Sequence, residues 1–119
     1  MRVSTLDSVV FHTTALPAVR HFYKTILGLQ VGTFEKNSNA VADANERYVN
    51  YLCGGTLLCF EAGKTTELGA IVLLTRDVLQ AKLDLRAAGV NIKQERDQWL
   101  RFRDPDGRTI LLQERSVVA

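Results

Sequence analysis

The run TLLCFE, Thr56 to Glu61, returns almost unchanged as TILLQE, Thr109 to Glu114. Each copy follows a glycine-bearing turn: Gly54-Gly55 before the first, Asp104-Pro105-Asp106-Gly107 before the second. A chain that writes one strand twice in this setting predicts two copies of a supersecondary unit, each able to bury only part of its apolar surface alone. At 119 residues there is room for one such pair, and 46% hydrophobic residues are enough to fill a core. The expected organisation is a single domain over 1–119, with modules at about 5–62 and about 68–116.

The segments between the copies repeat in the same order. Residues 7–13, DSVVFHT, are β-branched and aromatic and predict a strand. Pro17 then suits a first helical turn, Val19, Phe22, Tyr23, Ile26 and Leu27 recur at helical spacing, and Gly28 ends a helix over 16–27. A short strand over 29–34, a polar loop over 35–46, and a hairpin of RYVNYLC and TLLCFE around Gly54-Gly55 complete the first module. In the second, residues 69–75 predict a strand. Asp77 caps a helix with the stripe Val78, Ala81, Leu85 and Ala88, and Gly89 ends it. VNIKQ, residues 90–94, predicts a short strand before WLRFR and TILLQE, which flank a turn where Pro105 sets φ and Gly107 tolerates a positive one. The fold class is α+β: two βαβββ modules.

Alternation along these strands separates Ile110 and Leu112 from Thr109, Leu111 and Gln113, and Leu57 and Cys59 from Leu58 and Phe60. Both faces are largely apolar, whereas a sheet covered on one side only should alternate apolar with polar. The expectation is a curved mixed-sheet cup with the helices outside.

Charge and punctuation exclude several functions. Fifteen basic and 13 acidic residues are interspersed, with no basic arm to track phosphates, so nucleic acid is not an expected partner. No apolar run is long enough for a membrane span and no signal-peptide pattern is present, so the expected location is cytoplasmic. Cys53 and Cys59 lack metal-ligand spacing and read as buried thiols. No nucleophile elbow, phosphate loop or paired-carboxylate motif occurs.

The segments LPAVRHFYKTILGL, VNYLCGGTLLCFE, LRAAGV and, above all, FRDPDGRTILL resemble the vicinal oxygen chelate superfamily. That superfamily includes glyoxalase I, extradiol dioxygenases, fosfomycin-resistance enzymes and bleomycin-binding proteins. The resemblance spans nearly the whole chain and implies a homodimer and a metal at the cup floor, held by one residue from each of four strands. Carried over, those positions are Ser8, Leu58, Ala70 and Leu111. Divalent ions need imidazole or carboxylate donors, which this set lacks, so neither metal nor other cofactor is expected. A displaced set of His12, Glu61 and Glu114 would need a one-residue slip on two strands.

Val10, His12, Leu58, Phe60, Val72, Leu74, Leu111 and Gln113 are the expected cup lining, with Trp99 and Arg101 as neighbours. His21 falls off the helix stripe and reads as a surface residue. His12 is the best candidate for catalysis, with a histidine satisfied by neighbouring backbone or by Tyr48 or Gln113 as the structural alternative. The expected function is glyoxalase- or bleomycin-resistance-like binding of a small apolar or aromatic molecule in a metal-free cup. Alternatives are a lyase or dioxygenase with a displaced metal, a metal-independent isomerase using His12, and an interaction domain whose cup is plugged by its own side chains.

Overall fold

The structure, a computed structural model, describes residues 1–32 and 47–115, in two compact units that meet between Glu67 and Leu68. The loop expected over 35–46 lies outside the described residues. No helix among the described residues is long and apolar enough to cross a membrane.

The first unit runs β1 (Ser8–Thr13), α1 (Leu16–His21), β2 (Gln30–Val31), β3 (Tyr48–Cys53) and β4 (Thr56–Ala62). Thr13 accepts the Ala15 N–H at 2.9 Å, turning the chain into α1, where Pro17 occupies the first turn. The helix passes into a π-helical turn over Phe22–Ile26 and stops at Gly28, whose φ of 74° suits glycine. The sheet has the order β1-β4-β3-β2, with β1 parallel to β4 and the other pairs antiparallel. Cys53 pairs with Thr56 across the expected two-residue hairpin, with Gly54 at φ 62°.

The second unit repeats the plan with β5 (Ala70–Thr75), α2 (Val78–Ala87), β6 (Gln94–Arg96), β7 (Trp99–Arg103) and β8 (Thr109–Glu114), in the order β5-β8-β7-β6. Asp77 caps α2 as expected, accepting the Gln80 N–H at 3.0 Å. Of the predicted stripe, Val78 and Leu85 are buried, Ala81 is half-buried and Ala88 is exposed. The strand expected over 90–94 begins instead at Gln94. The cause is local: Gly89 donates to Arg86 and Val90 to Leu85, a Schellman ending that commits the Val90 N–H to the helix.

Each sheet turns one face to its helix, and the register says which. In the parallel pair, Val9, Phe11 and Thr13 share a face with Leu58, Phe60 and Ala62, while Ser8, Val10 and His12 share the other with Leu57, Cys59 and Glu61. Phe60 is fully buried, with its ring centroid 4.5 Å from Tyr23, 6.1 Å from Phe11 and 6.4 Å from Tyr51. The Tyr51 hydroxyl donates to the Arg20 carbonyl at 3.1 Å, tying sheet to helix. In the second unit Ile71, Leu73, Ile110 and Leu112, with Leu100 and Phe102, form the face toward α2.

These registers correct the reading of the duplicated strand. Ile110 faces α2, whereas Leu57, its counterpart in the written repeat, faces away from α1. The two hexapeptides are therefore out of step by one residue. In a structure of period two, one residue exchanges every side chain between faces. The grouping of Leu58 and Phe60 with Val10 and His12 is wrong for the same reason.

Candidate functional site

In the second unit, the face turned from α2 carries Val72 and Leu74 on β5, Leu111 and Gln113 on β8, and Trp99 and Arg101 on β7. All six are among the expected site residues, and the structure brings them onto one surface. Val72 and Leu74 are 57% and 63% exposed and form an apolar strip on the surface of this unit. Arg103 on β7 and Arg96 on β6 share the face, the latter paired with Trp99. The guanidinium carbons of Arg96 and Arg101 each lie 5.6 Å from the Trp99 ring centroid, within cation–π range. The strand residues on this face include no carboxylate. Arg96, Arg101 and Arg103 have no ion-pair partner among the described residues. The surface is apolar at one side and positive at the other.

In the first unit, Val10 and His12 lie on the face turned from α1, and Leu58 and Phe60 do not. Part of that face is filled: Leu57, Cys59 and Asn50 are buried, and Gly32 lies so close that a Cβ there would meet Leu52 Cγ at 2.6 Å. Val10 is 46% exposed. The His12 ring is half-exposed, with Nδ1 2.9 Å from Glu67 Oε1 and Nε2 3.9 Å from Glu61 Oε2. Its nearest carboxylate is Glu67, a residue the sequence did not single out. Glu67 lies in a loop without strand or helix periodicity, so nothing in the sequence pointed to it. His21 is exposed, as expected.

A second feature missed in the sequence lies within the Asp-Pro-Asp-Gly turn. Arg108 is fully buried, donating from Nη1 to Asp104 at 3.1 Å and to Asp106 at 2.7 Å. Asp104 also accepts the N–H groups of Asp106 and Arg108, both at 2.9 Å. Burial alone would lower the guanidinium pKa, but the hydrogen bonds and charges of the two aspartates outweigh it and raise the value. The pair fastens the turn that joins β7 to β8.

No protein-family model matches the sequence, and no curated protein matches it. Solved structures do. An antibiotic-binding protein from Streptomyces sp. CB03234 superposes with a TM-score of 0.74 at 21% identity, covering 98% of this chain and 99% of that one. A glyoxalase/dioxygenase from Nostoc punctiforme gives 0.74 at 20% identity over 94% and 91% of the two chains. A lactoylglutathione lyase from Agrobacterium tumefaciens gives 0.70 at 16% over 95% of each. The chain has the vicinal oxygen chelate fold.

Register fixes which residues of this chain stand at the four metal positions implied by the sequence resemblance. Two residues beyond Ser8, Val10 pairs with Cys59; two beyond Ala70, Val72 pairs with Leu111. The first unit's counterpart of Leu111 is therefore Cys59, and Leu58 points to the helix. Burial, with the nearby Asp7 and Cys53, pushes the Cys59 thiol up to about 11, so it is not a ready thiolate donor. A hydroxyl, a protonated thiol and two alkyl groups do not fit a divalent ion. Glu114 does not repair the set: it faces α2 and accepts the Val78 N–H at 3.3 Å. Among the described residues, no group of three or more His, Cys, Asp or Glu side chains could hold a metal.

Proposed function

We propose that this protein binds a small planar anion on the exposed sheet face of its second unit, without a metal ion. The observation that carries the reading is the juxtaposition of exposed Val72 and Leu74 with Trp99 and three arginines that lack carboxylate partners among the described residues. An apolar ring gains by covering the strip, and a carboxylate or phosphate gains charge-assisted hydrogen bonds from Arg101. Gln113 supplies a neutral donor and acceptor beside Trp99, its cross-strand partner. The antibiotic-binding neighbour supports a binding role of this general kind. The proposal extends to a cytoplasmic homodimer: Cys53 and Cys59 are free thiols, suited to a reducing compartment, and Leu79 and Leu83 leave an apolar stripe exposed on α2.

Trp99 is the only tryptophan, so its fluorescence reads the site directly. Titration with aromatic carboxylates such as naphthoate should change Trp99 emission and saturate. Arg101→Ala should weaken the acids about tenfold or more, in line with about 1.5–3 kcal/mol for a hydrogen bond to a charged group, and leave the matching amides nearly unaffected. Emission that stays constant across a panel of planar acids would refute the reading.

A further inference from the structure

His12 and Glu67 form an oriented pair that the binding reading does not use. They lie in the first unit, whereas the proposed anion site lies wholly in the second, so either reading can fail without the other. Glu67 Oε1 accepts the His12 backbone N–H at 2.7 Å and contacts the ring Nδ1 at 2.9 Å. A carboxylate accepts and does not donate, so Nδ1 carries the proton and Nε2 of the neutral ring carries the lone pair.

The pair is held by backbone on both sides. The Glu67 N–H donates to the His12 carbonyl at 3.2 Å, the Gly63 N–H to Thr13 at 3.0 Å, and the Thr14 N–H to Thr66 Oγ1 at 3.0 Å, so the loop from Gly63 to Glu67 runs fastened along β1. Gly63 lies against the imidazole: an added Cβ would sit 3.3 Å from His12 Cβ and Cδ2. The ring is thus positioned before any substrate arrives, while its side chain remains 45% exposed. Glu61 Oε2, at 3.9 Å from Nε2, stands beyond ordinary hydrogen-bond length and close enough to stabilise an imidazolium.

We propose that His12 Nε2 is a metal-independent general base for a small carbon acid, with Glu67 as the positioning residue that sets its tautomer. A carboxylate that fixes the proton on one ring nitrogen and leaves the lone pair on the other is the arrangement by which imidazole accepts a proton and then holds the charge.

Two measurements test it on the intact chain. The first is the nitrogen-15 spectrum of the two histidines, His12 and His21, assigned with His21→Gln. At high pH His12 should show a protonated Nδ1 and a lone-pair Nε2, and Glu67→Ala should abolish that preference. A protonated Nε2 in the parent protein would overturn the proposal. The second uses 5-nitrobenzisoxazole in buffer containing EDTA. His12 Nε2 removes the C3 proton, the C–H electron pair completes the nitrile, the N–O bond breaks, and its electrons leave on the phenolate oxygen, which absorbs visible light. The imidazolium then returns its proton to water. Turnover should fall at least tenfold in His12→Gln and stay unchanged in His21→Gln. Glu67→Ala should lower kcat with KM within about twofold. Turnover equal in the parent and His12→Gln would overturn the proposal, as would turnover seen only when EDTA is left out.

Discussion

Phe60 separates a core role from a binding role most sharply, and Phe60→Ala is the perturbation that tests it. The ring is fully buried and central to a cluster of Phe11, Tyr23 and Tyr51, with Tyr23 nearest at 4.5 Å between centroids. Truncating a buried phenylalanine costs about 3–5 kcal/mol, and aromatic pairs add about 0.5–1.5 kcal/mol beyond area burial, so the loss should fall near the top of that range. With a urea m-value of about 1.5–2 kcal/mol per molar, the unfolding midpoint should drop by about 2–3 M. Val10→Ala, on the opposite face and 46% exposed, should lower it by less than about 0.5 M. Circular dichroism during urea titration measures both. Phe60→Ala that unfolds within 0.3 M of the parent protein (a shift of roughly the size expected for a surface substitution) would refute the assignment of this face to the core, and with it the register argument.

Three further outcomes are expected. Arg108→Met should destabilise by about 3–5 kcal/mol, because it leaves Asp104 buried without its cationic partner; adding Asp104→Asn should recover part of the loss, and an unchanged melting curve for the single variant would contradict the buried pair. The Cys59 thiol, raised from about 9 to about 11, should react with a thiol reagent at neutral pH about a hundredfold more slowly than a free cysteine; because the folded value lies above the unfolded one, its contribution to stability is complete below about pH 9 and lost as pH rises through 11, a trend Cys59→Ala should remove from a pH series of melting temperatures. Sedimentation at micromolar concentration should show a dimer, and Leu79→Lys with Leu83→Lys should shift it to monomer if the α2 stripe carries the contact.

Much of the fold was written locally. Pro17, Gly28, the Gly54-Gly55 hairpin, the Asp77 cap and the Asp-Pro-Asp-Gly turn each act through their own backbone or a neighbour a few residues away, and all operate where the sequence placed them. The second unit's candidate surface was legible too, because WLRFR alternates apolar with basic residues and so carries its phase. TLLCFE carries none: with apolar residues on both faces, alternation permits either facing, and only the pairing Val10 to Cys59 and Phe11 to Phe60 chooses. The same limit hid His12's partner. Glu67 reaches it from 55 positions along the chain, through a loop without periodicity, and no local rule specifies such a contact. Burial of Arg108 was invisible for a related reason: an arginine in a polar turn reads as solvated until the packing around Asp104 excludes water, and that exclusion belongs to the assembled tertiary structure alone.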